Sequence, residues 1–199
     1  MTVNVRSRSR GTAPWPVGIT PATRLTDGDV AALASFDASF TSDTVLAVRR
    51  TTDGGFSVRE QPAHPPVAKR YRPGAGLRPG VALPWDRLFL ARDGADLVGV
   101  AATTFEAWNA RQRLDELHVA PAARGRGLAR ELVDRVLGVA QDNGARELWV
   151  ETQNINLPAV RAYRRLGFTV TGLDLTRYAP PHETEVAVFL SRPVTRPAP

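Results

Sequence analysis

The sequence predicts an α/β layer fold, and three observations carry that expectation. Period-2 alternation in Leu114–Val119 puts Asp115, Leu117 and Val119 on one face of a strand that Pro121 ends. From Gly127 onward Leu128, Leu132, Val133, Val136 and Ala140 recur at helical spacing, so an amphipathic helix starts directly after that strand. Around this unit lie β-rich runs separated by turn signals, with few helical segments between them; mixed strands with helices on their faces form a layered domain. At 199 residues and 43% hydrophobic content, one domain with a sizeable core is expected.

In chain order, residues 1–13 are Arg/Ser/Thr-rich and read as a disordered tail, 14–192 as the single domain, and 193–199 as a proline-rich tail. Val17–Arg24 reads as a short first strand. Asp27–Phe40 reads as a helix with Thr26 or Asp27 as N-cap and Val30, Leu33 and Ala34 on its apolar side. Thr44–Arg50 and Phe56–Glu60 form a hairpin around Asp53-Gly54-Gly55. Gln61–Trp85, which holds Pro62, Pro65, Pro66, Pro73, Pro79 and Pro84, reads as an irregular loop and is expected to flank a binding site as a flap. Arg87–Arg92 and Leu97–Phe105 are strands joined at Asp93-Gly94. The helix from Gly127 stops at Asn143-Gly144, Glu147–Thr152 is a strand, Asn156 opens a helix that Gly167 closes, and Phe168–Gly172 and Glu185–Leu190 supply the last strands.

Twenty-six basic against 20 acidic residues give a net charge of +6, which hints at an anionic partner. Lys69 is the only lysine, and the arginines are scattered. A nucleic-acid surface would cluster its cations among aromatics, so the charge pattern argues against nucleic acid. The absence of cysteine excludes disulfides, thiolate zinc sites and a covalent acyl-cysteine intermediate, and no metal is expected. Without a long apolar run or a hydrophobic leader in MTVNVRSRSR, no membrane partner and a cytoplasmic location are expected.

The turn between the central strand and its helix, Arg124-Gly125-Arg126-Gly127-Leu128-Ala129, favours a phosphate. A helix N-terminus carries partial positive charge and unpaired N–H donors, and the two glycines let a ligand approach the backbone. The alternative is a tight turn with solvated arginines. Two known phosphate loops do not fit: Arg130 stands where the dinucleotide fingerprint needs Gly or Ala, and the P-loop Gly-Lys-Ser/Thr is absent.

These residues resemble the R/Q-x-x-G-x-G/A signature of the GNAT acetyltransferases. Asn156–Phe168, NLPAVRAYRRLGF, resembles their second signature, with Ala three after the Asn, Tyr seven after it and Gly-Phe at the end. FTSDTVLAV, PPVAK, the Trp108-Asn109 pair and ETQNINLPAVRAYRRLGFTVTGLDLTRY are similar to streptothricin acetyltransferases over most of the chain. The resemblance implies the GNAT fold, a mixed, mostly antiparallel sheet flanked by helices. It implies acetyl-CoA as co-substrate, its pyrophosphate held by Arg124, Gly125, Arg126, Gly127, Leu128 and Ala129 and its pantetheine by Leu117, His118, Val119 and Asn156. Direct transfer to a primary amine of a small molecule follows, with a streptothricin-like antibiotic as the acceptor suggested and a monomer or homodimer as the assembly.

Acetyl transfer to an amine needs a held donor, an unprotonated amine, a stabilised oxyanion and a proton for the leaving thiolate. The family assigns the last role to Tyr163, two helical turns from Asn156. An amine of pKa about 10.4 is neutral in only about 1 of 2,500 molecules at pH 7, a handicap of roughly 4.6 kcal/mol, so a carboxylate base is expected. Asp115 and Glu116, sent to opposite faces by alternation, and Glu151 on the next strand are the candidates. His118 reads as a surface residue. Trp108, Asn109, Asp43 and Tyr178, with Thr41, are expected to border the acceptor. The basic, acid-free Lys69–Trp85 is expected to repel a polycation, which favours a less cationic amine. Acetylation of a protein N-terminus or lysine, and a non-catalytic module binding CoA or nucleic acid, are the competing functions.

Overall fold

The computed structural model describes residues 17–195, so the expected tail 1–13 and the last four residues lie outside the described chain. β1 (Gly18–Ala22), β4 (Arg87–Asp93), β5 (Asp96–Glu106), β6 (Arg111–Val119), β7 (Glu147–Gln153), β8 (Thr169–Asp174) and β9 (Ala187–Pro193) form one seven-stranded sheet in the order β1-β4-β5-β6-β7-β9-β8. Every neighbouring pair is antiparallel except β6 and β7. The expected α/β architecture is therefore present, with β9 and the buried Val194 carrying order beyond 192.

Helix α2 (Leu128–Asp142) lays Leu128, Leu132, Val133, Val136 and Ala140 on one face of the sheet. Contact there is so close that a Cβ on Gly99 would come 3.0 Å from Leu128 and 3.1 Å from Leu132. Helix α3 (Leu157–Arg165) joins the same core through Leu157, Val160 and Tyr163. On the opposite face α1 (Asp27–Ser35) packs Leu33 against Leu88, Leu90, Val100 and Ala102. Thr26 and Asp29 form its capping box. The helix ends five residues earlier than the sequence suggested: Phe36 is already extended, and the Asp37 carboxylate accepts from the Ser39 N–H as the next strand starts.

That strand, β2 (Ala38–Arg50), and β3 (Phe56–Tyr71) make a separate two-stranded ribbon. The expected hairpin is present but far longer, and much of the anticipated loop Gln61–Trp85 is strand. Proline misled here because β3 has a partner on one side only and bulges where the prolines cluster: Ser42 pairs Val67 and Thr44 pairs Pro62, leaving 63–66 opposite Asp43 alone. The true loop, 72–85, packs Leu77, Leu83 and Trp85 onto the α1 core, and Gly74 sits where a Cβ would meet Leu33 at 2.8 Å. Among the described residues no helix is long and apolar enough to cross a membrane.

Candidate active site

The β6–β7 ladder is short. Parallel pairing runs from Arg111↔Glu147 to Leu114↔Val150, yet β6 continues to Val119 and β7 to Gln153. Two strands that share a sheet and then part leave 115–119 without a strand partner on that side, and backbone groups there are costly unless something pairs with them. A cleft of about 970 Å³ occupies the opening, lined by both strands, by Ala38, Ser39, Phe40 and Tyr71 of the hairpin, and by the first turns of α2 and α3. Leu117, His118 and Val119 all border it, as expected.

At one end stands the start of α2. Its N-cap, Gly127, has φ +91 and offers no side chain to the first-turn N–H groups, so those donors remain available. Gly125 has φ +76, and Cβ atoms built on either glycine would meet nothing within 4 Å: the glycines serve the turn's left-handed conformation and leave its surface open. Gly125, Gly127, Leu128, Ala129 and Arg130 line the cleft, whereas Arg126 is exposed and does not. Arg124 lies beside them with its guanidinium already engaged, Nε donating to the Val119 carbonyl at 3.0 Å and a terminal nitrogen to the Ser39 carbonyl at 2.6 Å. It ties the hairpin to the turn.

At the other end is α3. Asn156 caps it, its Oδ1 accepting from the Ala159 N–H at 3.2 Å, and it also lines the cleft. Tyr163 is 7% exposed, borders the cleft and packs its ring against Phe168. Burial, then the charge of Glu116 and the neighbouring Tyr71, push its phenol well above the usual range. It stays protonated across the physiological range.

The carboxylates depart from simple alternation. A bulge at Asp115, between Thr103↔Leu114 and Ala102↔Glu116, shifts the period by one residue. Thr104 and Ala102 share one face of β5; the former donates to Asp115 at 2.8 Å and the latter pairs with Glu116, so both carboxylates lie on the hairpin side, not on opposite faces. Asp115 has both oxygens engaged, by Arg113 Nε at 2.6 Å and by Thr104. Burial nevertheless raises its pKa against those two contacts. Glu151 is engaged likewise, by Arg177 at 2.9 Å and the Tyr178 hydroxyl at 3.0 Å. Glu116 accepts from His118 Nε2 at 2.5 Å through Oε2, while no hydrogen bond among the described residues engages Oε1. His118 is thus no surface residue: 15% of its side chain is exposed and its ring lies 5.7 Å from that of Tyr71.

Several expected acceptor residues lie elsewhere. Trp108 is 86% exposed in the β5–β6 turn. Asn109 shapes that turn by accepting from the Arg111 N–H and donating to Glu106. Asp43 is exposed in the β2 bulge, with Thr41 also outside the cleft lining. Tyr178 does not itself line the cleft and touches it through Glu151 and Gln153. Of the segment Gln61–Trp85, expected as a flap, Tyr71 lines the cleft and no residue of 72–85 does. The basic segment faces away as well: Arg70 and Arg72 border a separate hollow with Phe36 and Gly74, and Lys69 is bonded to the buried Glu185 at 2.7 Å. In their place the hairpin contributes Tyr71 and β7 contributes Gln153. Neither carries a sequence signal, because each depends on contacts across more than 80 positions.

The model of the Acetyltransferase (GNAT) family matches residues 56–168. Streptothricin acetyltransferase of Streptomyces lavendulae is 40% identical over 173 residues, 83% of this chain and 90% of that protein. The crystal structure of nourseothricin acetyltransferase superposes with a TM-score of 0.78 at 36% identity, over 90% of this chain and 99% of that one. A Bacillus anthracis structure described as a streptothricin acetyltransferase with acetyl coenzyme A shares the fold, with a TM-score of 0.70 at 19% identity over 90% of this chain and 98% of that one.

Proposed function

The chain belongs to the GNAT acetyltransferase family, whose members take their acetyl group from acetyl-CoA, and we propose that it acetylates a primary amine of a streptothricin-class antibiotic. The observation that carries this reading is one continuous cleft running from the uncapped start of α2 to Tyr163, with carboxylates on its hairpin side. The N–H groups of Gly127, Leu128 and Ala129 would hold the pyrophosphate, and the strand edge after Leu114 would pair with pantetheine.

Glu116 is the base of choice, because Oε1 is the one candidate carboxylate oxygen left open on the cleft side. It takes the ammonium proton directly or through a water. The freed nitrogen forms the new C–N bond while a backbone N–H in the Leu117–Val119 stretch stabilises the carbonyl oxygen. The nitrogen then sheds its surplus proton to solvent, from which Tyr163 is reprotonated at the end of the cycle. As the C–S bond breaks, Tyr163 donates its proton to the departing thiolate. Aqueous pKa values do not govern that step, since the burial that disfavours a phenolate disfavours the thiolate too.

A cationic acceptor fits the face that receives it. Glu116 lines the cleft beside the rings of Phe40 and Tyr71, whereas Asp115 and Glu151 are already paired there with Arg113 and Arg177. The repulsion expected from Lys69–Trp85 is reduced, because Lys69 is paired with Glu185 and Arg70 and Arg72 border a separate hollow. The test is incubation of purified protein with acetyl-CoA and streptothricin, read by mass spectrometry. A product one acetyl group heavier supports the reading; unmodified drug alongside an acetylated peptide or metabolite would transfer it to another acceptor.

A further inference from the structure

The β6–β7 opening is spanned by a side chain that belongs to neither strand. We propose that Tyr71 positions the acceptor amine by linking the two lips of the opening, β6 through His118 and β7 through Gln153. This inference rests on the acetyl-transfer reading of the cleft.

Tyr71 is the last residue of β3 and pairs with Ala38, so it enters the site from the ribbon rather than from the main sheet. Its ring stacks on Phe40 with centroids 5.9 Å apart and meets the His118 ring at 5.7 Å. His118 in turn holds Glu116. Its hydroxyl donates to Gln153 Oε1 and accepts from Asn156 Nδ2 at 3.3 Å. One phenol therefore fixes the base-bearing strand on one side and, on the other, the residue that caps the helix carrying Tyr163. By occupying Nδ2 of Asn156 it also leaves Oδ1 to face the Ala159 N–H, which is the orientation the cap requires.

The geometry separates the two substrates. Tyr163 belongs to the core shared with α2 and α3, whereas Glu116 and its strand partner Ala102 belong to the face covered by α1 and the ribbon. An amine reaching Glu116 comes from the ribbon side and passes Tyr71. Among the described residues no hydrogen bond links the turn at Gly127 to the Tyr71 hydroxyl, whose partners are Gln153 and Asn156, so its loss should disturb the acceptor more than the donor. Burial, helped by Glu185 and Glu116 and opposed by the Asn156 contact, pushes Tyr71 up to about 12, which keeps it a donor to Gln153 throughout the working range.

The experiment is Tyr71→Phe, which keeps the ring and its stacking but removes the hydroxyl, measured with Gln153→Ala and the double variant. Wild-type turnover of an amine with acetyl-CoA is established first; its absence would defeat the acetyl-transfer reading and not this inference. Given turnover, Tyr71→Phe is expected to lower kcat/KM for the acceptor by about ten- to fiftyfold, with acetyl-CoA binding weakened by a clearly smaller factor through the lost Asn156 contact. The double variant is expected to lose less than the product of the two single losses, because the Tyr71–Gln153 bond is common to both. An acceptor kcat/KM within twofold of wild type, losses that multiply in the double variant, or an equal weakening of acetyl-CoA would overturn it.

Discussion

Glu116 Oε2 lies 2.5 Å from His118 Nε2, and the bulge at Asp115 puts that pair on the ribbon side of β6. Without the bulge the Glu116 side chain would turn to the opposite face, into the core beneath α2. A one-residue irregularity thus decides which carboxylate meets the amine.

Glu116→Gln should lower kcat/KM for the acceptor by about a hundredfold at pH 7, in the range lost when a general base is removed. Raising the pH supplies neutral amine from solution, so the deficit should shrink toward pH 9. Asp115→Asn, which removes a carboxylate tied to Arg113 and Thr104, should retain the wild-type acidic limb. A pH profile in which Asp115→Asn loses that limb and Glu116→Gln keeps it would exchange their roles.

Tyr163→Phe should lower kcat by about ten- to a thousandfold with the affinity for acetyl-CoA little changed. The ring still fills the core against Phe168, so the thermal midpoint should hold. Pre-steady-state thiol release is the measurement; unaltered release removes Tyr163 from the chemistry.

All three tyrosines of the chain are shifted in one direction: burial leads in each case, with nearby carboxylates adding to it, raising Tyr71 to about 12 and Tyr163 and Tyr178 beyond the usual phenol range. Because the folded state holds the proton more tightly than the unfolded state, this stabilisation is fully present below pH about 10 and is lost as pH rises above it toward the folded values. Tyrosinate absorbance should therefore lag in the native protein and titrate near pH 10 in denaturant. A native titration midpoint at about 10 would contradict the buried hydroxyls.

Much of this site could be read in the chain. Gly125 and Gly127 announce their turn because a left-handed backbone demands glycine, Asn156 reads as a helix cap, and Tyr163 enters through the resemblance to the family's second signature. What could not be read depends on partners distant in sequence. Pro62, Pro65 and Pro66 suggested a loop, but a strand paired on one side tolerates them at its free edge and in its bulge. Trp108 suggested a cation pocket, yet a turn carries it into solvent. The bulge at Asp115 leaves no local mark, and with it went the assignment of carboxylates to faces. Arg124, expected at the phosphate, lines the cleft, and its bonds to two carbonyls, one of them on β2, could not be read from the sequence.

The central claim is that the opening of α2 seats the diphosphate of acetyl-CoA, and calorimetric titration with acetyl-CoA tests it most directly. The account predicts one molecule bound per chain by the wild type and binding weakened about ten- to a hundredfold by Gly127→Ala, whose Cβ projects into open space at φ +91. No heat with the wild type, or equal affinity in the two proteins, would contradict it.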